Sequence, residues 1–149
     1  MNPTTVEQRA GMDRFERLAV ADAMHRGVVT CPTGTPLHCV ARMMAEHRIH
    51  AVVVFDEESD DGGDAALWGV VSDLDLVKAA NAADIEDRTA GGTAVTPIVL
   101  VEPRDTLTRA VQLMAEHEIN HLVVVGSTTK RPIGILSTLD VARALAEAR

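Results

Sequence analysis

Apolar residues recur at spacings of i, i+3, i+4 and i+7 in two places along this chain, at Leu37, Val40, Ala41 and Met44 and again at Leu107, Ala110, Val111 and Met114. That period lays one apolar stripe along an amphipathic helix in each place. Each stripe follows a short apolar stretch, GVVTC (27–31) or PIVLV (97–101), which reads as a strand. Each precedes a valine-rich run, AVVVF (51–55) or HLVVV (121–125), too short and too β-branched for a helix. A loop and another strand follow at LWGVVS (67–72) or PIGILS (132–137), and a second helix begins near Asp73 or Thr138. Thr35 and Asp105 are the expected N-caps of the first helices. The predicted order is β-α-β-β-α, twice, in the α/β (α+β) class.

The two copies are also related residue by residue. At a shift of 70, Leu37, Met44, Ala45, Glu46, His47, Ile49, Val53 and Val54 recur as Leu107, Met114, Ala115, Glu116, His117, Ile119, Val123 and Val124. WGVVSDLDLVKA (68–79) matches IGILSTLDVARA (133–144) at a shift of 65, so the first copy carries five extra residues. These fall in DEESDDGGD (56–64), a loop by composition. The organisation expected is an N-terminal extension (1–19), a first repeat (20–82), a linker (83–95) containing the Gly-rich TAGGTAV, and a second repeat (96–149). Within the extension, MDRFERLAV (12–20) reads as a short helix that packs on the module or on a partner.

Composition narrows the functional classes. A chain of 149 residues, 46% hydrophobic, is long enough to bury about 68–70% of its extended surface. With 14 basic against 22 acidic residues the net charge is −8, which argues against nucleic acid or an anionic membrane as the main partner, though a small anion can still bind locally. Aromatics are 2% with no tyrosine, so platforms for base stacking are lacking. No apolar run approaches the ~18 residues of a membrane span, and Met1 to Leu18 is too charged for a signal-peptide core, so a cytoplasmic protein is expected. Cys31 and Cys39 form no zinc-knuckle or C-x-x-C spacing and read as small, reduced, packed residues. The acidic 56–64 segment lacks the calcium-loop spacing with its twelfth-position glutamate and reads as a solvated hairpin loop.

One pentapeptide, HEINH (117–121), matches the H-E-x-x-H pattern of zinc hydrolases, in which two histidines one helical turn apart bind the metal. It falls where the first helix of the second copy stops and a valine strand begins, so His117 and His121 are not expected to share a helix face. The equivalent HRIHA (47–51) has neither the glutamate nor the last histidine. Zinc hydrolysis is therefore the weakest of the readings, and no metal is expected.

The remaining candidate chemistry is a G-x-x-S-x-x-D motif, present as Gly69-Val70-Val71-Ser72-Asp73-Leu74-Asp75 and as Gly134-Ile135-Leu136-Ser137-Thr138-Leu139-Asp140. A glycine at a strand end lets a ligand approach the backbone. A serine opening a helix presents its hydroxyl with N–H groups to a phosphate, and an aspartate one turn on accepts from the vicinal hydroxyls of a ribose. The same residues also serve as a helix N-cap with an acidic first turn. Two such motifs, each behind the same helix and valine strand, make the chain resemble a tandem pair of CBS (cystathionine beta-synthase type) domains over about residues 20–149.

The resemblance implies two βαββα repeats related by pseudo-twofold symmetry, and adenine nucleotides bound in clefts between them. Carried over, the adenine lies between Ile98 and Ile135 in the second site and between Val28 and Val70 in the first. The phosphates lie near Asn120-His121 in the second and His50-Ala51 in the first. The candidate set is thus Thr96, Ile98, His121, Gly134, Ile135, Ser137 and Asp140, with Val28, His50, Val70, Ser72 and Asp75 as its counterpart. His121, the neutral Thr138, Lys130 and Arg131 favour a phosphate in the second site, whereas Ala51 and Asp73 disfavour one in the first.

The function expected is a stand-alone regulatory module, not an enzyme, that senses AMP, ADP or ATP, with S-adenosylmethionine as a further candidate. A structural module with vestigial clefts is the rival. The partners expected are a second copy of the chain, because the helical stripes with Met43, Met44, Leu113 and Met114 exceed what one sheet face hides, and a regulated protein.

Overall fold

The structure, a computed structural model, describes residues 3–57 and 66–148. Along the chain the helices are α1 (Pro3–Glu16), α2 (Val20–Ala23), α3 (Leu37–His47), α4 (Asp73–Ala80), α5 (Ala90–Thr93), α6 (Leu107–His117) and α7 (Thr138–Glu147). The strands are β1 (His25–Arg26), β2 (Thr30–Pro32), β3 (Ala51–Asp56), β4 (Ala66–Ser72), β5 (Leu100–Val101), β6 (His121–Val125) and β7 (Pro132–Ser137). Both copies have the predicted β-α-β-β-α order. The opening strands are shorter than GVVTC and PIVLV suggest, because Val29 and Val99 each contribute one carbonyl, to Val53 and Val123, ahead of the regular ladder. The first-helix caps also move by one residue. Pro36 precedes α3, and the Thr106 hydroxyl accepts from the Arg109 N–H at the start of α6. Asp105 instead accepts from the Glu102 N–H at 2.8 Å and closes the turn before the helix.

The chain divides into two compact units, and they do not follow the order of the copies. One unit is Val28–Ile98, and the other joins Met1–Gly27 to Val99–Arg149. In the first, β3 is central, parallel to β2 and antiparallel to β4. Leu37, Val40 and Met44 of α3 pack on Val52, Val54 and Val71 of that sheet, with Cys31, Ala79 and Ala90. In the second, the strand order is β1-β7-β6-β5, and Leu107, Ala110 and Met114 pack on Leu122, Val124 and Leu136 with Phe15 and Val20. Helix α1 thus brings Phe15 into a core, so the 12–20 segment does pack on the module. The central valine and leucine positions Val52, Val53, Val54, Leu122, Val123 and Val124 are all 0% exposed, which is why these runs are unbroken rather than alternating.

The segment predicted as a Gly-rich linker is structured. Gly91 and Ala90 donate to the Thr33 and Thr35 carbonyls at 2.8 Å, Leu37 donates to Arg88, and Val95 and Val70 exchange bonds at 2.9 and 3.3 Å. In the other unit, Ala21 and Val20 donate to Pro103 and Asp105 at 2.9 and 2.8 Å, Leu107 donates to Leu18, and His25 and Arg26 pair with Ile135 and Gly134. The leader residues correspond at a shift of 70, and Ile135 corresponds to Val70 at the shift of 65 that holds for the motif strands. Each copy therefore begins about ten residues earlier than its visible homology, at 18 and 88, and each of these leaders completes the unit built around the other copy's helices and strands.

Candidate functional site

Strand β7 ends at Ser137 in extended conformation, and α7 starts at the next residue. The Asp140 N–H donates to Ser137 Oγ at 3.2 Å, while Asp140 Oδ2 accepts from the Ser137 N–H at 2.8 Å and from its hydroxyl at 3.0 Å. This is a reciprocal capping box, the local reason the sequence turns from strand to helix here. Ser72 and Asp75 build the same box, with distances of 3.3, 2.8 and 2.9 Å. The N–H groups expected to meet a phosphate already have partners. Thr138 donates to the Asn120 carbonyl and Asp73 to the His50 carbonyl, both at 3.0 Å, and Leu74 donates to Asp73 Oδ1 at 2.9 Å.

The motif glycines face their own chain. A Cβ on Gly134 would collide with the His25 carbonyl and the end of Met24, and one on Gly69 would lie 2.5 Å from the Val95 carbonyl. The expectation that these glycines admit a ligand is corrected: their missing side chains make room for the leader strands.

Asp140 and Asp75 then differ. Asp140 is 2% exposed, and Asp75 is half-buried. Oδ1 of Asp140 makes no aligned hydrogen bond, and the Nδ1 atom of His25 stands 2.6 Å from it at ion-pair distance. His121 lies directly across the sheet from Ser137, and Ile135 pairs with Val123 on one side and His25 on the other. His121, Gly134, Ile135, Ser137 and Asp140 are thus gathered in one unit, whereas Thr96 and Ile98 belong to the other. Val28, His50, Val70, Ser72 and Asp75 all share the Val28–Ile98 unit, where Ala51 faces Ser72.

The charged neighbours are less free than the sequence suggests. His50 Nδ1 is 2.8 Å from Asp73 Oδ2, so these two exposed groups offset each other. Lys130 Nζ lies 2.6 Å from Glu102 Oε1, which holds the Glu102 carboxyl below the usual carboxylate range with a lesser contribution from Arg104. Lys130 is therefore engaged rather than available to a phosphate. HEINH breaks as expected: α6 stops at His117, Glu118 is left-handed with φ 52°, and His121 opens β6. Among the described residues no three His, Cys, Asp or Glu side chains are placed to hold a metal ion, and most of the acidic loop, residues 58–65, lies outside them. No described helix is long and apolar enough to cross a membrane.

The residue that sequence reasoning missed is His25. Its only signal is the shift of 70, which sets it opposite Val95 in a stretch where the two copies share almost no identity.

A duplicated βαββα body with a serine-to-aspartate helix start in each copy defines a tandem α/β repeat module. The chain belongs to the CBS domain family, whose sequence profile matches residues 20–82 and 92–147. It is 30% identical over 128 residues to hypoxic response protein 1 of Mycobacterium tuberculosis, covering 85% of this chain and 84% of that one. In fold it is similar to the CBS domain of a bacterial CNNM/CorC family Mg2+ transporter in complex with ATP, with a TM-score of 0.75, 19% identity and coverage of 97% and 98%. It is also similar to the CBS domain pair of protein MJ0100 in complex with 5′-methylthioadenosine and S-adenosyl-L-methionine, with a TM-score of 0.70, 18% identity and coverage of 88% and 98%.

Proposed function

We propose that this chain is a ligand-sensing regulatory module that binds an adenine nucleotide at the helix start of its second copy. The observation that carries this reading is Asp140 Oδ1, a carboxylate oxygen in a side chain 2% exposed and without an aligned hydrogen bond. His25 Nδ1 stands 2.6 Å from it, and a donor better aligned than that ring would stabilise it further; the vicinal hydroxyls of a ribose are such donors. Ile135 supplies an apolar neighbour for the base, and His121, opposite Ser137, is placed near the expected phosphates. Proteins of the same fold bound to ATP, 5′-methylthioadenosine and S-adenosyl-L-methionine support an adenosine-type ligand.

Calorimetry with AMP, ADP, ATP, adenosine and S-adenosylmethionine tests the reading. Asp140→Asn keeps the volume and an acceptor for Ser137 but removes the charge, and it should weaken binding about 10- to 150-fold, the worth of roughly 1.5–3 kcal/mol from a hydrogen bond to a charged group. Asp75→Asn should matter much less, because its half-buried carboxylate neighbours the His50–Asp73 pair. Equal losses for the two variants refute the asymmetry, and no heat with any ligand refutes the sensor.

The module is further proposed to act as a homodimer that passes its ligand state to a regulated protein. Leu139 and Leu145 of α7 are 52% and 48% exposed, and an open groove of about 560 Å³ is lined by Val111, Met114, Ile119 and Val141 among others. Leu74 and Val77 are likewise exposed on α4.

A further inference from the structure

We infer that His25 guards the ribose acceptor of the Asp140 site, an imidazole from the leader strand that must be displaced before a ribose can bind. The inference rests on the nucleotide reading above and deepens it. Asp140 has two oxygens, and Oδ2 is committed to the Ser137 N–H and hydroxyl, the bonds that start α7. A diol can therefore use only Oδ1. With Asp140 2% exposed and His25 64% exposed, the group standing at Oδ1 is the His25 ring, with Nδ1 2.6 Å away. The two atoms are a close pair by distance, while Oδ1 remains without a hydrogen-bond partner. A contact of that kind occupies the position without satisfying the oxygen. A ribose hydroxyl approaching along the oxygen's lone pair replaces a poor partner with a good one.

The placement of His25 follows from β1, whose register sets His25 opposite Ile135, the proposed neighbour of the base. In the other unit the corresponding leader residue is Val95, bridged to Val70, and it has no polar side chain to bring to Asp75. One difference between the two leaders thus separates a guarded aspartate from an unguarded one.

Calorimetric titration of adenosine, AMP and ATP into the wild type, His25→Val and Asp140→Asn tests this. Valine is what the other leader carries at this place, and His25→Ala serves as a second variant should valine disturb the strand. Removing the imidazole should tighten adenosine binding roughly 2- to 12-fold, because the close pair it makes with Oδ1 no longer has to be broken, with AMP and ATP shifted by the same factor because the ribose is common to all three. Asp140→Asn should abolish the gain when combined with His25→Val. Ligand binding by the wild type that both His25 variants leave unchanged or weaken overturns the guard and leaves the nucleotide reading standing. A failure of all three ligands to bind any of the proteins overturns the nucleotide reading and the guard together.

Discussion

Gly69→Ala is the sharpest test of how the leaders are held. Its new Cβ would stand 2.5 Å from the Val95 carbonyl oxygen and 3.0 Å from both Ala94 Cβ and Thr96 Cγ2. The first of these is backbone and cannot rotate away, so either the leader retreats or β4 bends. Compression in a packed region costs about 1–3 kcal/mol. If the leader retreats instead, the two bonds between Val70 and Val95, at 2.9 and 3.3 Å, go with it, each worth about 0.5–1.5 kcal/mol net. Both routes reach the same range, and at about 2–4 °C per kcal/mol for a chain of this size they lower the melting temperature by about 2–12 °C. Calorimetric melting gives the size, and amide hydrogen exchange gives the route, since only a retreating leader exposes the Val70 and Val95 amides. Gly34→Ala is the control: nothing lies within 4 Å of its Cβ and its φ is not left-handed, so it should be neutral or stabilise by up to about 1 kcal/mol. If Gly69→Ala melts with the wild type, the close approach of leader and strand is refuted.

Further outcomes are expected elsewhere. Cys31 is 2% exposed and burial pushes its thiol up, against a smaller opposing pull from its hydrogen bond with Thr35, so iodoacetamide at neutral pH should modify Cys39 well before Cys31; equal rates contradict this. Ser137→Ala should cost about 1 kcal/mol by loss of the cap and lower the melting temperature by about 2–4 °C, as should Ser72→Ala; no shift in either would contradict the capping boxes. The lowered Glu102 carboxyl contributes stability that is complete above the ordinary glutamate pKa and is lost as pH falls through its lower folded value; acid unfolding of Lys130→Gln should lack that component, and an unchanged acid limb refutes the pairing. Light scattering at tens of micromolar should give twice 15.9 kDa, and charge at the exposed apolar face, as in Leu139→Glu with Leu145→Glu, should return the monomer.

The helices and strands of each copy were legible because their signals are local. The stripe at Leu107, Ala110, Val111 and Met114 has a helix period, and HLVVV has no alternation because its residues are covered on both faces. The S-x-x-D helix starts were legible for the same reason, since a capping box needs only four residues. The leaders were not. LAVADAMHRGVV (18–29) and RTAGGTAVTPIV (88–99) adopt the same path while sharing Val29 and Val99 and little else, because their bonds are made by backbone groups that any residue supplies. Glycines and a threonine in the second leader then imitate a linker, although Ala90 is 0% exposed.

What the leaders leave free to vary is the residue each one lays beside the motif. Most backbone bonds of the two leaders correspond, the donation of Gly27 to Ile133 being an exception that Pro97 cannot make, and both His25 and Val95 sit where their leader meets the motif strand. The motif aspartates are equally fixed by their caps, since Ser137 and Ser72 each donate two bonds to one carboxylate oxygen and accept a third from the aspartate N–H, at nearly equal lengths in the two copies. Differences in what the two sites recognise must therefore arise from side chains outside the capping box: His25 against Val95, His121 against Ala51, and Thr138 against Asp73. The first of these acts on the ribose acceptor and the other two on the charge beyond it. A swap of His25 and Val95 alone should accordingly move the guard from Asp140 to Asp75 without moving any preference for phosphate, whereas a swap of His121 and Ala51 should move the phosphate preference and leave adenosine affinity at each aspartate as it was.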